Sequence, residues 1–285
     1  MSAPPDLPGL PDLPDLLDNL DAVRRLAGHR PMGLFVDIDG TISPIAPTPE
    51  QATVSPAVRR ALAALAREGT VVALTGRDTA SARRVVGVAE IAYAGNHGME
   101  WWEDGATTLD PLVQPYVGRI HRLAAHVGSA LADEPGVLLE DKGPSLAIHY
   151  RLAADGAAVR ERVLAVLGGA EGAGGLSVRE GKMFIEVLPP VAVNKGTAIA
   201  RTVERRALAS ALVLGDDTTD VDAFEAVREL RSSGAAEAIA VAVSGDAPER
   251  LLAAADYRLA DPAAVETLLT WLVGEVAGGT SSKAP

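Results

Sequence analysis

Short apolar runs alternate with stretches of helical period along most of this chain. Met32–Val36 and residues 71–74 and 91–94 are mostly apolar and of a length that suits buried strands. Residues 57–67 and Thr79–Val86 separate them, with apolar positions at helical spacing. The same rhythm returns after Pro189-Pro190, with a helix over 196–206, a strand over 212–214, a helix over 220–230, a strand over 239–243 and a helix over 248–254. This β-α-β-α order predicts a parallel sheet with helices on both faces. No element is predicted beyond Ala254.

The rhythm changes near Asp110-Pro111. A helix over 117–131 leads into strand-like runs at 137–140 and 145–151, separated by Asp141-Lys142-Gly143-Pro144. A helix over 157–167, a Gly-rich turn at 168–175 and runs at 176–179 and 183–187 complete the unit. A helix with paired strands, twice over, predicts an α+β module built on a small open sheet. The expected organisation is a lead and helix at 1–30, an α/β core from 31–110 and 189–278, and an inserted unit at 111–188. Residues 1–15 repeat Asp-Leu-Pro, which predicts an extended or mobile lead. Residues 16–26 carry apolar positions at helical spacing and are expected to dock on the body.

Composition narrows the partners. The 285 residues carry a net charge of −12 and only 4% aromatic side chains, so the core is mostly Ala, Val and Leu. The acidic balance argues against a nucleic-acid partner, which needs clustered Lys and Arg. A small anionic substrate needs only a few local cations. The absence of cysteine excludes thiol catalysis, disulfides and Cys-held zinc or iron–sulfur centres. No apolar stretch is long enough to span a bilayer, and the N-terminus lacks a basic leader. The expectation is a soluble, cytoplasmic protein with no membrane partner. The oligomeric state is not set by the sequence, and a monomer is expected.

The densest chemistry lies at Asp37-Ile38-Asp39-Gly40-Thr41, where the first strand runs out. On extended backbone Asp37 and Asp39 would share a face. Two carboxylates there would repel, desolvation would add to the cost, and a hard divalent cation would relieve both. A single Asp at a strand end would read as a cap or an Asx-turn; the whole string favours the metal. Ligands of open α/β sheets sit beyond the carboxyl ends of strands. Thr75-Gly76-Arg77 and Gly215-Asp216-Asp217-Thr218-Thr219-Asp220 end two further runs there, and Lys195-Gly196 opens a helix that could reach the same rim. Carboxylates, a hydroxyl, a lysine and loop amides together suit a phosphate bound with Mg²⁺. A carboxylate attacking phosphorus would form an aspartyl-phosphate.

These residues, in this order, resemble the four motifs of the haloacid dehalogenase-like phosphatases. The resemblance implies a Rossmann-like core with an inserted α+β cap. It implies Asp37 as nucleophile, Asp39 as general acid/base, and Mg²⁺ held by Asp37, Asp39 (through its backbone carbonyl) and Asp216. Thr75 would hydrogen-bond the phosphoryl group, Lys195 would balance its charge, and Asp217 would support Asp216. Leu74-Thr75-Gly76-Arg77, Gly95-Asn96-His97-Gly98-Met99-Glu100, Glu140-Asp141-Lys142 with His149-Tyr150-Arg151, and Gly181-Lys182 with Glu186-Val187 resemble the trehalose-6-phosphate phosphatases over about residues 34–272. That resemblance implies Mg²⁺-dependent hydrolysis of trehalose 6-phosphate in trehalose biosynthesis. Lys142, Arg151, Lys182 and Glu186 of the cap would face the sugar phosphate, with Arg77 and His97 contributing from the core. Lys182 and Glu186, four apart on extended backbone, would share a face.

One position departs from the pattern: Val221 stands where that family commonly has Glu, and Asp222 is expected to take over the cap at the helix start. His149 reads as a satisfied structural histidine, and His121 and His126 as non-functional. Rival readings are a phosphatase of another sugar phosphate, such as sucrose 6-phosphate, and a catalytically silent sugar-phosphate binder. The intact motif residues argue against silence. No Gly-x4-Gly-Lys-Ser/Thr is present, which excludes a P-loop NTPase.

Overall fold

The computed structural model describes residues 13–170, 174–181, 183–243 and 247–280, the last three by backbone alone. Residues 1–12 of the lead and Lys182 lie outside the described residues. In chain order the elements begin with α1 (Leu20–Gly28), β1 (Met32–Val36), α2 (Pro56–Ala66), β2 (Thr70–Leu74), α3 (Thr79–Val86) and β3 (Ala92–Gly95). Next come β4 (Glu100–Glu103), β5 (Ala106–Leu109), α4 (Val117–Ala130), β6 (Leu138–Asp141), β7 (Leu146–His149), α5 (Gly156–Gly169), β8 (Ser177–Gly181) and β9 (Phe184–Leu188). The last are α6 (Lys195–Arg206), β10 (Ser210–Gly215), α7 (Val221–Ser233), β11 (Glu237–Val243), α8 (Glu249–Leu252), β12 (Tyr257–Leu259) and α9 (Pro262–Thr280). Two compact units result: Met1–Gly98, Trp102–Ala106 and Asn194–Pro285 form one, Met99–Trp101 and Thr107–Val193 the other.

The larger sheet has the order β12-β11-β10-β1-β2-β3-β4-β5, and β12 through β3 are parallel neighbours. Its central strands are near-continuous apolar runs because helices cover both faces. β2 and β10 are buried at every position, β1 at all but its first. From β1 the chain winds outward through β2 and β3, then returns to build β10, β11 and β12 on the other side. The winding reverses between β1 and β10, and ligands of such sheets bind beyond the strand ends at that point. Caps fix where the flanking helices start. Ser55 accepts from Val58 N at 3.1 Å beside Pro56 at the first turn of α2, and Asp78 accepts from Ser81 N at 2.8 Å on α3. Asn194 and Thr197 form a capping box on α6, which places Lys195 at its first position.

The smaller sheet is antiparallel, in the order β6-β7-β9-β8. One face alternates Leu146, Ile148, Ile185 and Val187 against Ile120, Leu123 and Val127 of α4 and Val159 and Val163 of α5. The other face carries Glu140, Ala147, Glu186 and Arg179 in register across all four strands.

The sequence pattern and the structure part at weakly buried elements. β4 and β5, absent from the expected elements, have four residues each; β4 is half-buried around the single buried Trp102 and β5 is largely exposed, so no apolar run marks them. β12 has three residues and is paired on both sides: Leu16 N donates to Arg258 O at 3.0 Å, and Arg258 N to Pro14 O at 3.1 Å. The described end of the lead is therefore held at the sheet edge rather than free, and α1 docks as expected, burying Val23 and Leu26 in the core. α9 was not expected, although Val265, Leu268, Leu269, Leu272 and Val276 lie at helical spacing and are buried. The strand expected over 145–151 stops at His149, which leaves Arg151 in the following turn.

Candidate functional site

Asp37 follows β1, Thr75 follows β2 and Asp216 follows β10, so all three stand at the carboxyl edge of the sheet beside the reversal. Lys195 is fully buried at the first position of α6. A lysine there opposes the helix dipole, so helix stability does not explain it. Two carboxylates do: Nζ donates to Asp37 Oδ1 at 2.6 Å and to Asp220 Oδ1 at 2.7 Å. The other oxygen of Asp220 accepts from the amides of Asp216 (3.1 Å) and Asp217 (3.2 Å), closing the turn after β10. Thr41 Oγ1 donates to Asp216 Oδ1 at 3.2 Å. Two glycines make this approach possible. Gly40, at φ +87°, lies where a Cβ would strike the Asp216 carboxyl, and a Cβ on Gly196 would strike the Asp222 carbonyl of α7.

Asp37, Asp216 and Asp220 offer oxygens that all lie within 4.8 Å of one another. Three carboxylates against one ammonium leave two negative charges in a buried site. Burial pushes the Asp37 carboxyl well above the usual carboxylate range, with Asp220 and Asp216 adding to the shift and Lys195 opposing it. Burial, with the Asp220 charge behind it, pushes Asp216 up to about 7. Burial also works against the Lys195 ammonium, but Asp220 and Asp37 outweigh it and hold its pKa above the ordinary lysine value. The surplus negative charge and the oxygen-only donor set fit a hard divalent cation. Both oxygens of Asp220 are already committed, so the donors open to a cation belong to Asp37 and Asp216.

Asp39 does not join this cluster. The backbone leaves the extended conformation after Val36, with Ile42 N and Ser43 N both donating to Ile38 O, so the two aspartates do not act as a strand-face pair. The Asp39 carboxylate instead receives Arg77 Nε and Nη2, both at 2.6 Å, in a bidentate pair. Arg77 also donates to Pro49 O at 2.9 Å, and its amide donates to Thr75 Oγ1 at 3.1 Å. His97, at φ +59°, packs where a Cβ on Gly76 would stand, and its amide donates to Thr75 O at 2.8 Å. The loops after β2 and β3 are thus tied to each other beside Thr75.

Residues 35–262 match the family model of the trehalose-phosphatases. The chain belongs to the trehalose-phosphatase family. A trehalose-phosphate phosphatase of Mycobacterium avium is 37% identical over 212 residues, which cover 71% of this chain and 53% of that protein. An uncharacterized glycosyl hydrolase of Mycobacterium tuberculosis is 35% identical over 213 residues, 72% of this chain and 16% of that protein. The chain therefore spans about half of one curated relative and a smaller part of the other. The C-terminal domain of the C. albicans trehalose-6-phosphate phosphatase shares the fold, with a TM-score of 0.75 over 92% of this chain and 98% of that one at 24% identity. As expected, this trehalose-phosphatase family member is an α/β protein with a Rossmann-like core and an α+β cap unit. No helix among the described residues is long and apolar enough to cross a membrane.

In the cap unit, Lys142 and Glu186 meet and Arg151 does not join them. Lys142 Nζ lies 3.6 Å from Glu186 Oε1 and 3.8 Å from Glu140 Oε2. Glu140 and Glu186 flank the small Ala147 in one row of the sheet, so the lysine beyond β6 reaches both. Arg151 is exposed in the turn after β7. His149 is a satisfied residue, with Nε2 3.3 Å from Glu140 Oε2 and its ring tilted against Phe184. His121 Nδ1 pairs with Asp141 Oδ2 at 2.5 Å on an exposed surface.

Sequence reasoning assigned no role to Asp220 or Thr41. Asp220 sits four residues after Asp216, the reach of one helical turn, and that spacing was the available signal. Val221 is buried in the first turn of α7, and Asp222 does not cap it. Asp217 and Asp220 form a reciprocal capping box on the 3₁₀ turn Thr218–Asp220 that leads into α7, and no side chain caps α7 itself.

Proposed function

We propose that this chain hydrolyses trehalose 6-phosphate to trehalose and phosphate, as an Mg²⁺-dependent phosphatase of the cytoplasm. The observation that carries the reading is the buried Asp37–Lys195–Asp220 arrangement beside Asp216, set at the reversal of a sheet whose family is that of the trehalose-phosphatases. Asp37 attacks the phosphorus: an acyl-phosphate bond forms between a carboxylate oxygen of Asp37 and phosphorus, and the bond from phosphorus to the sugar oxygen breaks. Asp39 protonates that oxygen as it leaves. It then takes a proton from the water that splits the acyl phosphate, releasing phosphate and restoring the carboxylate. Lys195 holds one oxygen of Asp37 and offsets charge as it builds on the phosphoryl group. Thr75 stands at the end of β2 with its hydroxyl available to a phosphoryl oxygen. Asp37, Asp216 and the Asp39 carbonyl would hold a Mg²⁺ ion, which would supply positive charge to the phosphoryl oxygens.

Because Arg77 occupies both oxygens of Asp39, it must release or share that carboxylate before the proton transfer. Arg77 then becomes available to the substrate, with His97 beside it. In the cap unit Lys142, Glu186, Arg151 and Lys182 bind the sugar phosphate. Residues 31–110 and 189–278 act as catalytic core and 111–188 as cap, with 1–30 as an accessory lead and helix.

Phosphate release from a panel of sugar phosphates, with and without Mg²⁺, tests the proposal. Release from trehalose 6-phosphate in strong preference to sucrose 6-phosphate and glucose 6-phosphate is expected, and only with the metal. Equal rates across the panel would move the reading to a general sugar phosphatase. No release from any member would leave a silent binder.

A further inference from the structure

The α/β unit has a second concavity that the proposed reaction does not use. A groove of about 610 Å³ is lined by Arg25 and His29 at the end of α1, Arg231 at the end of α7, Glu237, Asp256 and Tyr257. Glu237 opens β11 and Tyr257 opens β12, so the groove lies at the amino ends of strands. The phosphate chemistry lies at the carboxyl ends of the same parallel set. The volume falls within the range of small-molecule sites.

The charge around the groove selects the class of ligand. Arg231 Nη1 donates to Asp256 Oδ2 at 2.8 Å and to Ala238 O at 3.2 Å, a pair that is internally neutral. Arg25 and Glu237, both exposed, contribute one charge of each sign. The two arginines stand in the last turns of their helices, where the carbonyl ends favour cations and disfavour a bound anion. His29 Nδ1 lies 3.0 Å from the Arg25 carbonyl oxygen. A carbonyl only accepts, so Nδ1 carries the proton in that contact. Tyr257 adds a half-buried aromatic ring.

A phosphate ester would find no surplus of cations here, and a cation would face two guanidinium groups. A hydroxyl suits both signs, because it donates to a carboxylate while accepting from a guanidinium. We propose that this groove binds a small neutral carbohydrate, at a site separate from the one where phosphate is released. The proposal does not depend on the phosphatase reading.

The test is a titration of the full-length protein with trehalose, sucrose and inorganic phosphate in turn. It follows the ring resonances of His29 and Tyr257, assigned by their loss in His29→Gln and Tyr257→Phe. A neutral disaccharide is expected to shift both signals to saturation. Arg25→Ala and Glu237→Ala, both at exposed positions, are each expected to weaken binding about tenfold, the value of one hydrogen bond to a charged group. The proposal is overturned if neither signal moves at high millimolar sugar. It is equally overturned if a variant carrying both Arg25→Ala and Glu237→Ala binds as the parent does, or if inorganic phosphate gives the same shifts at lower concentration, which would make the groove an anion site. Binding is read without any phosphate release, so the outcome is independent of whether the chain hydrolyses trehalose 6-phosphate.

Discussion

The α/β unit and the cap unit each bring a lysine to two carboxylates, and they do so in different ways. Lys195 is buried and donates at 2.6 and 2.7 Å, and its partner Asp220 is held by two backbone amides. Lys142 lies 3.6 and 3.8 Å from its two carboxylates, beyond direct hydrogen-bond length. At that range the contacts are ionic rather than direct hydrogen bonds. The first arrangement is already in place before any substrate arrives, which is what charge stabilisation in a reaction requires. The second holds its charges at longer range, with Glu140 and Glu186 on either side of Ala147.

The sharpest break of that comparison is Asp37→Asn. The amide is nearly isosteric but is a poor nucleophile, so turnover should fall at least ~10³-fold. Stability should not fall with it, because Lys195 keeps Asp220 and one costly buried carboxylate disappears. Phosphate release and a thermal melt on the same preparation check both halves. A folded variant that retains substantial turnover removes Asp37 from the nucleophile's role.

Lys195→Met should do the opposite to stability. It strands Asp37 and Asp220 without their common partner, and breaking a buried pair in this way costs about 3–5 kcal/mol. Adding Asp220→Asn should restore part of that loss without restoring turnover, since the lysine is still missing. If the single variant melts like the parent, the buried triad is not what organises this edge of the sheet.

How much of this was legible in the sequence follows from burial. β1, β2 and β10 are covered on both faces and therefore appear as continuous apolar runs, which places Asp37, Thr75 and Asp216 at strand ends by inspection. β4, half-buried and flanked by Glu100 and Glu103, and β5, largely exposed, leave no such run. The motif order pointed to Lys195, but its sharing between Asp37 and Asp220 depends on contacts across 158 and 25 residues. The grip of Arg77 on Asp39 was hidden for the same reason, the two being 38 residues apart. Periodicity carries local structure; charge pairing of this kind needs the fold.

The cap side of the comparison is sharpened by Glu186→Gln, a change that keeps shape and removes charge. Glu186 is buried, and loss of a hydrogen bond to a charged group is worth about 1.5–3 kcal/mol. The kcat/KM for trehalose 6-phosphate should fall roughly 10–100-fold, mostly through KM. Hydrolysis of a small phosphate ester without a sugar should hardly change. Steady-state kinetics on both substrates decide this, and a matched loss on both would place Glu186 in the chemistry rather than in recognition.

The smallest effect is a pH dependence confined to the core. In the metal-free protein the Asp216 pKa is raised to about 7, so the folded state holds a proton there that the unfolded chain gives up near its ordinary value of 3.8. The folded state thus binds more protons between those two values, and stability from this group falls as pH rises through that window. A divalent cation must displace the same proton, because only the carboxylate ligates. Apparent Mg²⁺ affinity should therefore fall as pH is lowered, by at least about tenfold for each unit below pH 7, because the raised Asp37 carboxyl must also give up its proton to ligate. Saturating metal should reverse the loss of stability at high pH. Mg²⁺ titrations by calorimetry at several pH values, with melts at each, test the pair of effects.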